Sequence, residues 1–247
     1  MKLLLQFHQL SELALFIYFG QDLNHIAKCF SRLHNLRKLT IGIRGWDDER
    51  VVYRSIPNPI NDIGMIIGAN INLTHLELFQ SCGVRLGGNL AKIFAHVPSN
   101  SPLKLEYLGL STYFSNLEAI APHARLLKSI YLIPGGYGQI LTIFRAECIF
   151  PPIIQVSYIY ESLIDYLNHH PQIVGLSIHN MYNEPLGRMM LETMVQHSES
   201  LKDFCTPSSS FLRCLKHVQN ELLFLRFTNL EKLTLLVDVR IEIEVVS

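Results

Sequence analysis

Neither sign of charge prevails in this chain. Lys and Arg together number 21, as do Asp and Glu, so the formal net charge at pH 7 is zero. A neutral chain lacks the basic footprint that neutralises phosphates, and no Lys/Arg cluster is present to hold it against anionic lipid. Neither a nucleic acid nor a membrane surface is therefore expected as a partner. Cysteine is scarce and badly placed for cross-linking: Cys29, Cys82, Cys148, Cys205 and Cys214 are odd in number, far apart and never in C-x-x-C spacing. That pattern argues against a disulfide framework or a zinc site and predicts buried free thiols in a reducing compartment. Long hydrophobic runs are missing too. The opening Met1 to Leu5 is apolar, but Gln6, His8, Gln9, Ser11 and Glu12 interrupt any signal-peptide core. The apolar stretch from Ser129 to Phe144 falls short of the roughly 18 residues of a membrane span and is broken by Pro134, Gly135, Gly136 and Gly138. The expected setting is cytoplasmic or nuclear.

Chemistry-bearing motifs are equally sparse. The 11 histidines include no H-E-x-x-H, and the adjacent His169 and His170 precede Pro171, which ends a helix rather than building a metal pair on one face. They read as surface or turn histidines, and no metal or cofactor is expected. Gly135-Gly136-Tyr137-Gly138 lacks the lysine of a phosphate-binding loop and reads as a turn. No G-x-S-x-G elbow occurs, and no Ser or Cys has a motif-level base partner. Asp47-Asp48-Glu49 reads as a solvated acidic loop, and the sequon Asn72-Leu73-Thr74 lies on an expected strand without a signal peptide, a coincidence.

What the chain does have is hydrophobic content, 49% against only 17% charged residues, which is too apolar for disorder. Much of that content is periodic. An apolar residue, two others, an apolar residue, one other and an apolar residue recur as Leu10/Leu13/Leu15, Leu36/Leu39/Ile41, Leu73/Leu76/Leu78, Leu105/Leu108/Leu110, Leu127/Ile130/Leu132, Ile173/Leu176/Ile178 and Leu230/Leu233/Leu235. A weaker copy is Leu201/Phe204, with polar Thr206 in third place. First anchors are separated by 26, 37, 32, 22, 46, 28 and 29 residues, and the gap of 46 leaves room for a degenerate copy around Phe150-Pro151-Pro152-Ile153-Ile154. Flanking words recur as well: His34-Asn35-Leu36-Arg37-Lys38-Leu39 matches Thr228-Asn229-Leu230-Glu231-Lys232-Leu233. Such self-similarity is the mark of a repeat architecture.

Between the triplets lie apolar stripes at helical spacing, at 22–33, 89–97, 116–127, 161–167, 186–195 and 211–225. Candidate caps or turns precede several, as at Ser115-Asn116 and Asn183-Glu184-Pro185. The unit is thus a short strand, a loop and a helix. Period-two alternation points Leu76 and Leu78 inward and His75, Glu77 and Phe79 to the other face. Stacked units would bury one continuous core, with a parallel sheet on the concave side and helices on the convex side.

The triplet and its period resemble the leucine-rich-repeat superfamily. The usual Asn or Cys eight residues after the first Leu is replaced here by Tyr18, Arg44, Ser81, Tyr113, Gly135, Met181 and Asp238, with Cys82 and Asn180 one residue out of register. This departure implies an irregular arc rather than a regular horseshoe. The phrase Asn70-Ile71-Asn72-Leu73-Thr74-His75-Leu76-Glu77-Leu78 is similar to repeats of fungal, mushroom-type F-box proteins. That resemblance implies the substrate-recognition part of a ubiquitin-ligase receptor. A Skp1-like adaptor would be a partner only through an F-box, which has no visible counterpart here, since a triplet is already present at Leu10.

The expected fold is therefore α/β, an irregular leucine-rich-repeat solenoid, with residues 1–247 forming a single domain of about eight to nine repeats. The expected role is a non-catalytic protein-interaction scaffold whose unknown protein ligand lies on the concave face. Phe79, Tyr107, Tyr131 and His179 would form an aromatic strip across four repeats, with His75 and Glu77 beside it. Two alternatives stay open: an α/β enzyme with ordinary βα units, whose polar groups would converge at strand carboxyl ends, or a non-functional degenerate repeat protein. The outward side chains could equally cover a sheet surface or meet a flanking domain. Leu3 to Leu5 and Ile241 to Val246 read as uncapped strands, which predicts aggregation or pairing of the isolated chain through its C-terminal strand.

Overall fold

Alternation decides the strands. In the segment from His75 to Gln80, Leu76 is 0% exposed and Leu78 1%, while His75, Glu77 and Phe79 remain half-exposed on the opposite face. The buried half of that division recurs wherever a triplet stands between two others. All three positions are buried at Leu36/Leu39/Ile41, Leu73/Leu76/Leu78, Leu105/Leu108/Leu110, Leu127/Ile130/Leu132 and Ile173/Leu176/Ile178. Each fully buried Leu or Ile stabilises the fold by about 2 kcal/mol relative to an exposed one.

The computed structural model describes residues 9–18, 24–44, 59–80, 89–111, 114–133, 138–180, 184–208, 211 and 225–236. The chain divides into two compact units, Met1–Pro151 and Pro152–Ser247. In the first, five strands alternate with helices: β1 (Glu12–Tyr18), α1 (Asn24–Phe30), β2 (Lys38–Arg44), α2 (Ile60–Ala69), β3 (His75–Gln80), α3 (Leu90–Phe94), β4 (Tyr107–Ser111), a 3₁₀ helix (Leu117–His123), β5 (Ser129–Ile133) and α4 (Gly138–Ala146). Consecutive strands pair in parallel, so this sheet is open and follows chain order. The second unit holds β6 (Ile153–Tyr158), α5 (Glu161–His169), β7 (Gly175–Asn180), α6 (Glu184–Val195), β8 (Asp203–Pro207) and β9 (Lys232–Leu236), again paired in parallel and in chain order. Parallel neighbours need a crossover. The helices provide most of them and bury their apolar stripes, as Ile60, Ile63, Ile66 and Ile67 do on α2.

One backbone device repeats with the triplets. The carbonyl of the residue after the first anchor accepts two successive N–H groups from the same place one repeat later. Ser11 O receives Arg37 N and Lys38 N, Arg37 O receives Thr74 N and His75 N, Thr74 O receives Glu106 N and Tyr107 N, and Glu106 O receives Lys128 N and Ser129 N. In the second unit Pro152 O, Val174 O and Lys202 O act in the same way. The position of Pro152 fixes the degenerate copy as Pro151/Ile154/Val156, all buried. Its first anchor stands 24 residues after Leu127 and 22 before Ile173.

Buried polar side chains tie the corners where helices return to strands. Asn70 accepts Leu36 N at 3.3 Å and donates to Ile66 O at 2.8 Å, joining its own helix to the preceding repeat. His123 accepts Leu103 N at 3.0 Å through Nδ1, and His197 donates from Nε2 to Leu167 O, again in the preceding repeat, at 2.9 Å. His170 accepts Gln172 N at 3.2 Å and meets the His197 ring edge-on at 6.2 Å. These histidines stand at or just after helix ends, and at 7%, 4% and 6% exposure for His123, His170 and His197 they are not the surface groups expected.

Other expectations need correction. The stripe at 116–127 forms a 3₁₀ helix, because Pro122 has no N–H and its ring would clash with the carbonyl four residues back in an α-helix. Helices α2 and α4 lie outside the segments whose apolar spacing predicts a helix. Cys29 and Cys205 are only partly buried and Cys148 is exposed, so these free thiols are not core residues. Cys148 instead closes α4 in the left-handed region, φ 54°. Its N–H meets Arg145 O and the next, Ile149 N, meets Phe144 O, a Schellman closure in which Cys148 occupies the place usually held by glycine. In β9, Leu233 and Leu235 are 39% and 38% exposed, unlike their counterparts in the inner repeats. The segments at Leu3 to Leu5, Trp46 to Glu49, Gly135 to Tyr137 and Ile241 to Val246, and nearly all of 211–225, lie outside the described residues.

Candidate functional site

The outward face of the first unit is ordered by strand register into rows. One row runs Glu12, Lys38, His75, Tyr107, Ser129, and the next Ala14, Thr40, Glu77, Gly109, Tyr131. Side chains directly opposite in such rows interact, which is how a sheet converts register into a surface. In the first row Lys38 Nζ meets Glu12 Oε1 at 2.8 Å, and the His75 and Tyr107 rings stack at 5.7 Å with 21° between planes. In the second, Thr40 Oγ1 donates to Glu77 Oε2 at 2.8 Å. The Tyr107 hydroxyl also donates to the Glu77 carboxylate. Burial, followed by the negative charge of Glu77, pushes the Tyr107 phenol above its ordinary pKa, so it remains a donor at neutral pH.

Glycines let this face lie flat. A Cβ on Gly42 would stand 2.7 Å from Phe16 Cδ1, so that ring, 60% exposed, lies across β2. A Cβ on Gly109 would meet Glu77 Cγ at 2.9 Å and Phe79 Cζ at 3.2 Å. The Glu77 stem and the Phe79 ring therefore lean onto β4, where Phe79 meets Tyr131 edge-on at 6.3 Å. Lys38, Leu39, Thr40, His75, Glu77 and Tyr107 line a shallow groove of about 220 Å³.

Five of the six candidate residues, His75, Glu77, Phe79, Tyr107 and Tyr131, thus come together on β3, β4 and β5. His179 lies on β7 in the second unit, with an exposed side chain. That unit has its own groove of about 230 Å³, at whose edge Asp203 meets Lys232 at 3.3 Å. Thr40, Gly42 and Gly109 belong to the first surface although aromatic content alone does not point to them. Their signal is register, since each stands opposite one of the candidate residues.

Among the described residues no group of three or more His, Cys, Asp or Glu is placed to hold a metal ion. No helix among them is long and apolar enough to cross a membrane. Compared with known proteins, the chain matches no protein-family model and no curated protein.

Proposed function

We propose that this chain is a non-catalytic protein-interaction scaffold of the leucine-rich-repeat type, working in the cytoplasm or nucleus, and that the outward face of β2–β5 is where a partner protein docks. The observation that carries this reading is the continuous surface formed by His75, Glu77, Phe79, Tyr107 and Tyr131. Rings from three strands contact one another in pairs beside a shallow groove. Aromatic side chains contribute large contact area with little rotamer entropy to lose, and interfaces are enriched in them. A groove this small lies below the roughly 300 Å³ at which small-molecule pockets begin, whereas a protein partner can engage it together with the flat face around it. The similarity to F-box repeats adds a role to the scaffold: presenting a target to a ubiquitin ligase.

The test is capture from a fungal extract by the wild-type chain, by Phe79→Ala and by Tyr131→Ala. A genuine docking face predicts a discrete partner whose capture falls about tenfold or more with either variant, the size expected of an aromatic anchor. Partners retained equally by all three proteins would remove this face from consideration. Recovery of a Skp1-like adaptor and a cullin supports the ubiquitin-ligase role, and their absence rejects that role alone.

A further inference from the structure

Charge on the outward face of the first unit balances in number, but not in pairing among the described side chains. The outward positions of β1–β5 carry four full charges, Glu12, Lys38, Arg44 and Glu77, which sum to zero. Lys38 is paired with Glu12 at 2.8 Å. Among the described residues Glu77 has hydroxyl partners only: Thr40 Oγ1 at 2.8 Å and the Tyr107 phenol. Hydroxyl donors orient a carboxylate but do not cancel its charge. A carboxylate offers about four lone-pair positions, and two donors leave the other two open.

The surroundings suit a planar cation. Glu77 opens onto the groove of about 220 Å³, where the stacked His75 and Tyr107 rings form part of the wall. The Phe79 ring leans over Gly109 beside it. Guanidinium groups are attracted to ring faces and fork onto carboxylates, whereas an ammonium is more strongly hydrated and makes no fork. One carboxylate and two hydroxyls fall short of the six to eight oxygen ligands of a calcium site.

We infer that Glu77 is the anchor of an arginine pocket: a partner protein docks on this face by placing an arginine side chain in the groove between Glu77 and the His75–Tyr107 stack. The inference rests on the interaction-surface reading above and gives the partner a defined chemistry. The guanidinium takes the two open lone pairs of Glu77, while Thr40 and Tyr107 hold the carboxylate in place.

The probe is the capped tripeptide acetyl-Gly-Arg-Gly-amide, compared by ligand-observed NMR with its lysine and citrulline counterparts against the full chain. The arginine peptide is expected to bind most tightly, the lysine peptide less so, and the uncharged citrulline peptide about tenfold or more weaker. Arginine binding should perturb the Tyr107 ring signals. Glu77→Gln, which can still accept from Thr40 and Tyr107, should lose about tenfold in arginine affinity. Equal binding of arginine and citrulline overturns the inference even if Glu77→Gln unfolds. So does unchanged affinity in a folded Glu77→Gln, or no binding by any of the three peptides. If partner capture depends on Phe79 while the peptides fail to discriminate, the docking face stands and the arginine pocket falls.

Discussion

Replacing Thr206 with Val should make the protein more stable. Thr206 is the third position of its triplet, where the inner repeats carry Leu, Ile or Val, and it is 0% exposed on β8. Its Oγ1 is the one buried side-chain polar atom without a hydrogen-bond partner among the described residues. An unmade hydrogen bond on a buried hydroxyl costs about 1–3 kcal/mol. Valine has nearly the same shape and puts a methyl where the hydroxyl stood, beside a layer that includes the Phe204–Phe211 contact at 6.0 Å. Relief of the stranded hydroxyl plus the added apolar burial gives an expected gain of about 2 kcal/mol. With a urea dependence of about 1–3 kcal/mol per molar, the unfolding midpoint should rise by roughly 1 M. The control is Thr206→Ser, which keeps the hydroxyl and loses only the methyl, and should lower stability by about 1 kcal/mol. Circular dichroism during urea titration measures all three proteins, and the change should appear in the transition of the second unit. A Thr206→Val midpoint at or below that of the wild type would refute the reasoning, because it would mean that the hydroxyl is satisfied in solution.

Two further outcomes follow from the corners of the fold. Cys148→Gly should stabilise the chain by about 1 kcal/mol, because a non-glycine residue in the left-handed region costs about 1–2 kcal/mol and glycine returns part of that as unfolded-state entropy; a lowered melting temperature in calorimetry would contradict it. Stability should also fall in mild acid: burial lowers the His123 pKa from 6.5 to about 4, so between those values the unfolded chain takes up a proton that the folded chain refuses. Above pH 6.5 this histidine contributes no pH dependence. Across the window to pH 4 the loss approaches about 3 kcal/mol, at about 1.4 kcal/mol per unit. His123→Asn can still accept the Leu103 N–H, as Asn70 accepts Leu36 N–H, and should flatten that part of the urea-midpoint profile; parallel profiles for the two proteins would refute the assignment.

The strands were legible because two independent periods agree on them. Alternation names the buried residues, and the triplet spacing says where each strand must recur, so even the polar Thr206 and the proline-bearing copy at Pro151 take their places. Helices were harder to read where local chemistry opposes the pattern. On α2 the stripe from Ile60 to Ile67 is plain, but Gly64 and Gly68 weaken intrinsic helix propensity. A Cβ on Gly68 would stand 2.3 Å from His96 O, so that glycine serves close packing rather than flexibility. The corner residues Asn70, His123, His170 and His197 do carry a sequence signal, a polar residue three or four places before the next anchor. Histidine attracts attention as a metal ligand, and spacing cannot tell a ligand from a hydrogen-bonded corner. In the candidate site, aromatic content pointed to the rings. The contributions of Thr40 and Gly109 depend on cross-strand register, which no single repeat reveals.

The paired-carbonyl device and the corner side chains have an evolutionary consequence. Both act before each strand begins, at places counted from the anchors and not from the end of the preceding strand. Steps of 22 and 37 residues between first anchors coexist in one chain on that framework, so repeat length has varied while the register has been kept.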